Sequence, residues 1–155
     1  GAQIAFMNPG GMRTSLPAGE LRYEDLFAAQ PFYNNLVTMT LSGVQVVELL
    51  EQQWVNQSRV LQISQGFSYA WDAGKPAGSR VVSGSVMLDG KPLDAAADYR
   101  VTVNAFLAGG GDGFTLLPSG RNKRTGTMDV DALEQFIARN ASITPGALDR
   151  IKRIN

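Results

Sequence analysis

The sequence predicts an α+β fold, a single domain in which a mixed or largely antiparallel sheet packs with helices. Three observations carry this expectation. Short β-branched and aromatic runs, Leu36–Leu41, Phe67–Trp71 and Tyr99–Asn104, alternate partly in polarity, as half-buried strands do. Other segments carry apolar residues at helical spacing, in Arg22–Ala29, in the stretch after Ser42 and again after Asp129. The two kinds of segment do not alternate regularly, so a chain of βαβ units is not expected. At 155 residues the chain holds one domain with a proper core.

In chain order, Gln3–Met7 is a short apolar run, consistent with a buried strand, and stops at the turn Asn8-Pro9-Gly10-Gly11-Met12-Arg13. After a loop over Thr14–Gly19, Tyr23, Leu26 and Phe27 fall on one helical face, and Gln30-Pro31 ends that helix because the residue before proline avoids helical backbone. Leu36–Leu41 reads as a strand. Ser42 then caps a helix whose expected stripe is Val44, Val47, Leu50 and Trp54, with Val46 and Leu49 beside it and Trp54 in the core. A hairpin-rich section follows, with strands at Leu61–Ser64 and Phe67–Trp71, a turn at Asp72–Pro76, a longer strand from Arg80 to Leu88, and the hairpin signal Asp89-Gly90 leading into Lys91–Leu93. Tyr99–Asn104 is a strand that delivers a glycine-rich loop. Pro118–Thr127 is polar and basic and reads as a surface loop, with Arg121, Lys123 and Arg124 solvated. Asp129 is expected to cap a last helix with Val130, Leu133, Phe136 and Ile137 on one face, and Asp149–Asn155 to add an edge strand.

Composition excludes several chemistries. There is no histidine and no cysteine, so serine–histidine triads, thiolate nucleophiles and histidine or thiolate metal sites cannot be built from this chain. The acidic residues are scattered, in turns (Asp94, Asp98) or at a helix start (Asp129, Asp131), and read as solvated caps rather than an all-carboxylate centre. Fourteen basic and fourteen acidic residues balance, leaving no field to draw in nucleic acid or an anionic membrane, and no apolar run approaches the ~20 residues that span a bilayer. Nucleic-acid partners and membrane segments are therefore not expected. Gly1-Ala2 runs straight into a strand with no signal peptide before it, and the chain reads as an excised domain.

The stretch Gly109-Gly110-Gly111-Asp112-Gly113 stands out. Four glycines in five residues serve left-handed backbone or close approach of another group, since each costs entropy on ordering. Successive amides there can form a nest, and Asp112 supplies two acceptor oxygens suited to a pair of sugar hydroxyls. With Phe106 six residues ahead, a nucleoside is suggested; a tight turn and nothing more is the plainer alternative. Neither the phosphate loop nor the dinucleotide fingerprint fits, because no GxxxxGK[ST] occurs and Phe114 falls where a third glycine belongs. Arg13, beside the first glycine turn, is open to two readings, a surface salt bridge or a planar fork for a ligand.

Three stretches together, NPGGMR at 8–13, PFYNNL at 31–36 and NAFLAGGGDGF at 104–114, resemble the C-terminal domain of the 5′-nucleotidase family, and the likeness spans essentially all of 1–155. The resemblance implies the substrate-binding half of a two-domain hydrolase for nucleoside 5′-monophosphates. An N-terminal metallophosphoesterase domain, absent from this chain, would hold two divalent metal ions and do the hydrolysis, leaving no cofactor and no catalytic residue here. By the same resemblance Phe32 and Phe106 would sandwich the base, Asp112 would accept from the ribose hydroxyls with the Gly111 backbone close by, Asn8 and Asn34 would line the pocket, and Arg13 would contact ribose and phosphate. It also implies a periplasmic, cell-wall or extracellular location. Pro9 and Met12 depart from the pattern, where glycine and isoleucine are usual, and further arginine contacts belong to a helix upstream of residue 1. Cyclic nucleotides or UDP-sugars as substrates, and a non-catalytic binding module, remain open alternatives.

Overall fold

The strand β7, Asp98–Asn104, is the one on which the rest is laid. Tyr99, Val101 and Val103 turn to one side and are buried, while Arg100 and Thr102 turn to the other, the two-residue period of a pleated strand. In the computed structural model, which describes residues 1–55, 60–140 and 142–155, β7 lies at the centre of a five-stranded sheet. On one side stands β1 (Ile4–Met7), parallel to it, and beyond that β3 (Gln62–Ile63), antiparallel to β1. On the other side stands β2 (Asn35–Ser42), antiparallel, and beyond it β8 (Arg121–Met128), antiparallel again. The sheet is mixed, and the fold is α+β as expected.

A second sheet has the order β6-β5-β4-β9, made of Lys91–Pro92, Met87–Leu88, Phe67–Asp72 and Ile151–Ile154 respectively. One continuous core joins the two sheets. Val37, Met39 and Leu41 from β2 and Val101 and Val103 from β7 meet helix α2 (Gly43–Glu51) and the second sheet's Phe67 and Tyr69, with Phe6 and Phe67 edge to face at 5.5 Å. Gln53 is buried there and has partners at both ends of its amide. Its Nε2 donates to Leu50 O at 2.7 Å, and its Oε1 accepts from Leu61 N at 2.7 Å and lies 3.2 Å from the Tyr69 hydroxyl. On the opposite face of the large sheet Thr38 and Thr102 share a hydroxyl–hydroxyl bond of 2.7 Å, and Arg100 Nη1 donates to Thr40 Oγ1 at 2.9 Å, both across directly paired positions.

Helix α1 (Tyr23–Ala29) ends where Gln30-Pro31 requires it. Its backbone start is held by Asp25, whose carboxylate accepts from Arg22 N at 2.8 Å. Helix α2 begins at the Ser42 cap, but its buried stripe is Val46, Leu49, Leu50 and Trp54; Val44 is exposed. The expected stripe is partly right: Leu50 and Trp54 are buried and Val47 packs against the core, while Val44 faces out and Val46 and Leu49, expected only beside the stripe, are fully buried. The hairpin at Asp89-Gly90 forms with both residues at positive φ, 50° and 75°, the backbone of a type I′ turn.

Three expectations fail. No single strand runs from Arg80 to Leu88, only its end, Met87–Leu88, forming β5: Val81 makes an isolated bridge to Trp71, Gly84 turns left-handed at φ 72°, and the Ser85 hydroxyl accepts from the Ala70 amide that a strand neighbour would have taken. Residues 118–127 are not merely a loop, since β8 closes the large sheet by main-chain pairing with β2, helped by Asn35 Nδ2 donating to Gly126 O at 3.0 Å, and exposes nearly all its side chains, charged as edge strands are. Arg121 there is paired with Asp98, and Lys123 Nζ donates to Pro118 O at 2.7 Å. Finally, Asp129 is no solvated cap. It lies inside helix α4 (Asp129–Ala138) and is only 4% exposed, Met128 holds the cap position, and Phe136 stands out in solvent.

Candidate functional site

Strand directions alone bring three asparagines to one end of the large sheet. β1 and β7 are parallel, so both finish at the same edge, and Asn8 and Asn104 follow or end them. β2 is antiparallel to β7 and starts there, with Leu36 opposite Asn104 and Asn34 just ahead. Asn34 is held by its carbonyl, which accepts from Asp129 N at 2.8 Å. Burial pushes the Asp129 carboxyl up from its ordinary value, while bonds from Val130 N and from Asn34 pull the other way.

Beyond Asn104 comes a single helical turn, α3 (Ala105–Ala108), capped by the Asn104 side chain, whose Oδ1 accepts from Leu107 N at 2.8 Å. The turn aims Phe106 outward. The chain then reverses through Gly110 (φ 91°), Asp112 (φ 56°) and Gly113 (φ 82°), left-handed backbone that glycine and, less freely, aspartate adopt. Gly111 is required for a different reason. A Cβ at that residue would stand 2.5 Å from the Phe106 ring, so only glycine lets the ring lie against the loop.

Phe32 and Phe106 are 49% and 48% exposed, so neither ring is spent on the core. Both line a cleft of about 370 Å³, in the range of small-ligand pockets. Asn8, Asn34, Asn104 and Asp112 line it as well, with the Gly10-Gly11 turn. Asn8 and Asn104 are buried and bonded to one another: Asn104 Nδ2 donates to Asn8 Oδ1 at 2.9 Å, and Asn8 Nδ2 donates to Asp112 Oδ2 at 2.8 Å. Tyr33, directly after Phe32, is held at φ 51°, an uncommon backbone for a bulky residue, and rests on Phe27 with ring centroids 5.2 Å apart. Arg13 does not line the cleft. Its guanidinium lies over the Phe32 ring, 5.7 Å from the centroid, and makes no salt bridge among the described residues.

Of the seven residues singled out from sequence, the structure gathers Asn8, Phe32, Asn34, Phe106 and Asp112 around the cleft, with Arg13 and Gly111 behind its rings. Asn104 and the glycines at 10 and 11 were not among them. Asn104 closes the strand and opens the capped turn, a signal present in the sequence but read there only as a polar residue. Chemically the cleft offers faces for a planar ring and a carboxylate among amides. Among the described residues no three acidic side chains converge as a metal site would need.

The fold and the cleft define a class: an α+β domain that presents an aromatic and amide pocket at the end of a mixed sheet. The family model described as "5′-nucleotidase, C-terminal domain" matches residues 1–119, and the chain belongs to that family. An apyrase of Tabanus yao is 33% identical over 165 aligned positions, covering 97% of this chain and 30% of that protein. A 5′-nucleotidase of Vibrio vulnificus is 34% identical, covering 92% of this chain and 25% of that one. Among solved structures, a 5′-nucleotidase precursor from Thermus thermophilus superposes with a TM-score of 0.85 at 37% identity, over 99% of this chain and 32% of its own. The chain thus spans about a third or less of the relatives it matches.

Proposed function

We propose that this chain is the substrate-holding domain of a 5′-nucleotidase-type hydrolase and that it binds a nucleoside monophosphate with the base between Phe32 and Phe106. One observation supports this above the others: two half-exposed phenyl rings line the same cleft as a carboxylate set in a glycine turn. Asp112 accepts from the ribose hydroxyls near the Gly111 backbone, Asn8 and Asn34 line the pocket, and Arg13 reaches the ribose and phosphate from behind Phe32. Hydrolysis belongs to a partner metallophosphoesterase domain of the same protein, which holds two divalent metal ions. This chain has no histidine or cysteine to offer them. Its relatives suggest work outside the cytoplasm, in the periplasm, the cell wall or the medium.

The test is a titration of the chain with adenosine, AMP and ribose 5-phosphate, following backbone amide shifts at Phe32, Phe106 and Asp112. Adenosine and AMP are expected to saturate, and ribose 5-phosphate is not. Phe32→Ala and Phe106→Ala each remove about 1–3 kcal/mol of stacking, roughly a five- to 150-fold rise in Kd for adenosine. Unchanged affinity in both variants would remove the clamp from the proposal.

A further inference from the structure

The hydrogen bonds beneath the cleft run in one direction, and this assigns a role to Asn104. Leu107 N can only donate, and it donates to Asn104 Oδ1. That leaves the amide nitrogen of Asn104 to face Asn8, where it donates to Oδ1. The Asn8 nitrogen in turn faces Asp112 and donates to Oδ2, and an ionised carboxylate can only accept. With a donor fixed at one end and an acceptor at the other, each amide between them has a single orientation. Both asparagines are buried, and the bond between them is closed to water, while the bond from Asn8 to Asp112 lies at the cleft floor and is part-buried. Gly11 completes the confinement, since a Cβ there would stand 2.9 Å from Asn8 Oδ1 and 3.5 Å from Asn104 Nδ2.

We infer that Asn104 is a positioning residue for this site. It carries the polarity of the α3 backbone amide through Asn8 to Asp112, keeping that carboxylate supplied with a donor from below and turned to accept from the ligand. Asn8 then acts on Asp112 through one of its two N–H groups, while its oxygen accepts from Asn104. The consequence for specificity rests on the nucleoside reading: the ligand must present donors at Asp112, so a vicinal diol is selected over a sugar lacking its hydroxyls.

Asn104→Asp is the discriminating substitution. It is isosteric, and aspartate caps the α3 turn as well as asparagine does. It also places carboxylates on both sides of Asn8, so the Asn8 oxygen must face one of them whichever way the amide turns. Asn104→Ser serves as the second variant, keeping a cap oxygen while falling short of Asn8. The first readout needs no ligand. In the wild type the Asn8 side-chain amide protons should show NOEs to the Asp112 β-protons, and in Asn104→Asp these should weaken or move to residue 104. The second readout is the affinity ratio of adenosine to 2′,3′-dideoxyadenosine. It should fall about tenfold in the variants, because loss of a charge-assisted bond weakens adenosine alone. A general structural role would weaken both nucleosides together and leave the ratio unchanged, which overturns the assignment. Persistence of the Asn8-to-Asp112 NOEs in a folded Asn104→Asp protein also overturns it. Should the wild type bind neither nucleoside, the nucleoside reading fails, while the NOEs still decide whether Asn104 orients Asn8.

Discussion

At the scale of single residues the protein separates groups held for stability from groups held for a site. Tyr69 belongs to the first kind. Burial pushes its hydroxyl up to about 12, with the bond to Gln53 working in the opposite sense. The folded chain therefore holds this proton more tightly than the unfolded chain, whose tyrosine titrates near its ordinary value of about 10. The contribution to stability is complete below that value and is lost as pH climbs through the folded one, amounting to about 3 kcal/mol by then. Urea unfolding between pH 9 and 12 should show the wild type losing stability faster than Tyr69→Phe; parallel curves would refute the assignment. The site residues behave differently. Phe32 and Phe106 leave about half their surface exposed, and their rings return little to the free domain beyond the contact of Phe32 with Arg13. These residues were legible in the sequence because they sit beside glycine and proline punctuation. Asp129 was not, since an aspartate at a helix start looks the same whether it faces water or the core.

Among the elements, the junction of β2 and α2 is the most tightly specified. Ser42 Oγ accepts from Gln45 N at 3.3 Å, and Gln45 Oε1 accepts from Ser42 N at 2.9 Å, a reciprocal capping box. Gly43 next to it has no room for a side chain, because a Cβ would fall on the Asp94 carbonyl. The backbone cannot draw back, as Gly43 N donates to Ala97 O at 3.0 Å and Val44 N to Ala95 O at 3.1 Å. Gly43→Ala should thus destabilise by roughly 3 kcal/mol, the upper end for overpacking, against about 1 kcal/mol for Ser42→Ala. Denaturant midpoints of the two variants decide it, and equal losses would mean the junction yields more easily than its contacts imply. The cap was legible from Ser42 and the helical spacing after it, whereas the phase of the stripe depended on which neighbours arrive from distant strands. β8 was illegible for a related reason. Its pairing with β2 is mostly main-chain, its register is interrupted there, and its side chains carry the signature of a loop.

For the molecule as a whole, the fold class was readable because strand and helix periods both occur without regular alternation. The arrangement of the site was only partly so. Its residue types were visible in three short motifs, but the bonds among them join positions 96 and 104 residues apart and follow from sheet order, which no local pattern encodes. The placing of Asn8 after β1 and of Asn104 at the end of β7 has a thermodynamic corollary. A ligand seated in the cleft above these strand ends needs the parallel pair in register to bring its lining together and has nothing to hold on the unfolded chain. Its binding must then appear as protection of the entire domain against heat, worth about 2.7 kcal/mol at a hundredfold excess over Kd. On the function proposed, nucleosides and their phosphates can be ranked by melting temperature at equal concentration, with no turnover to follow, and the compound that raises it most is the tightest binder among them.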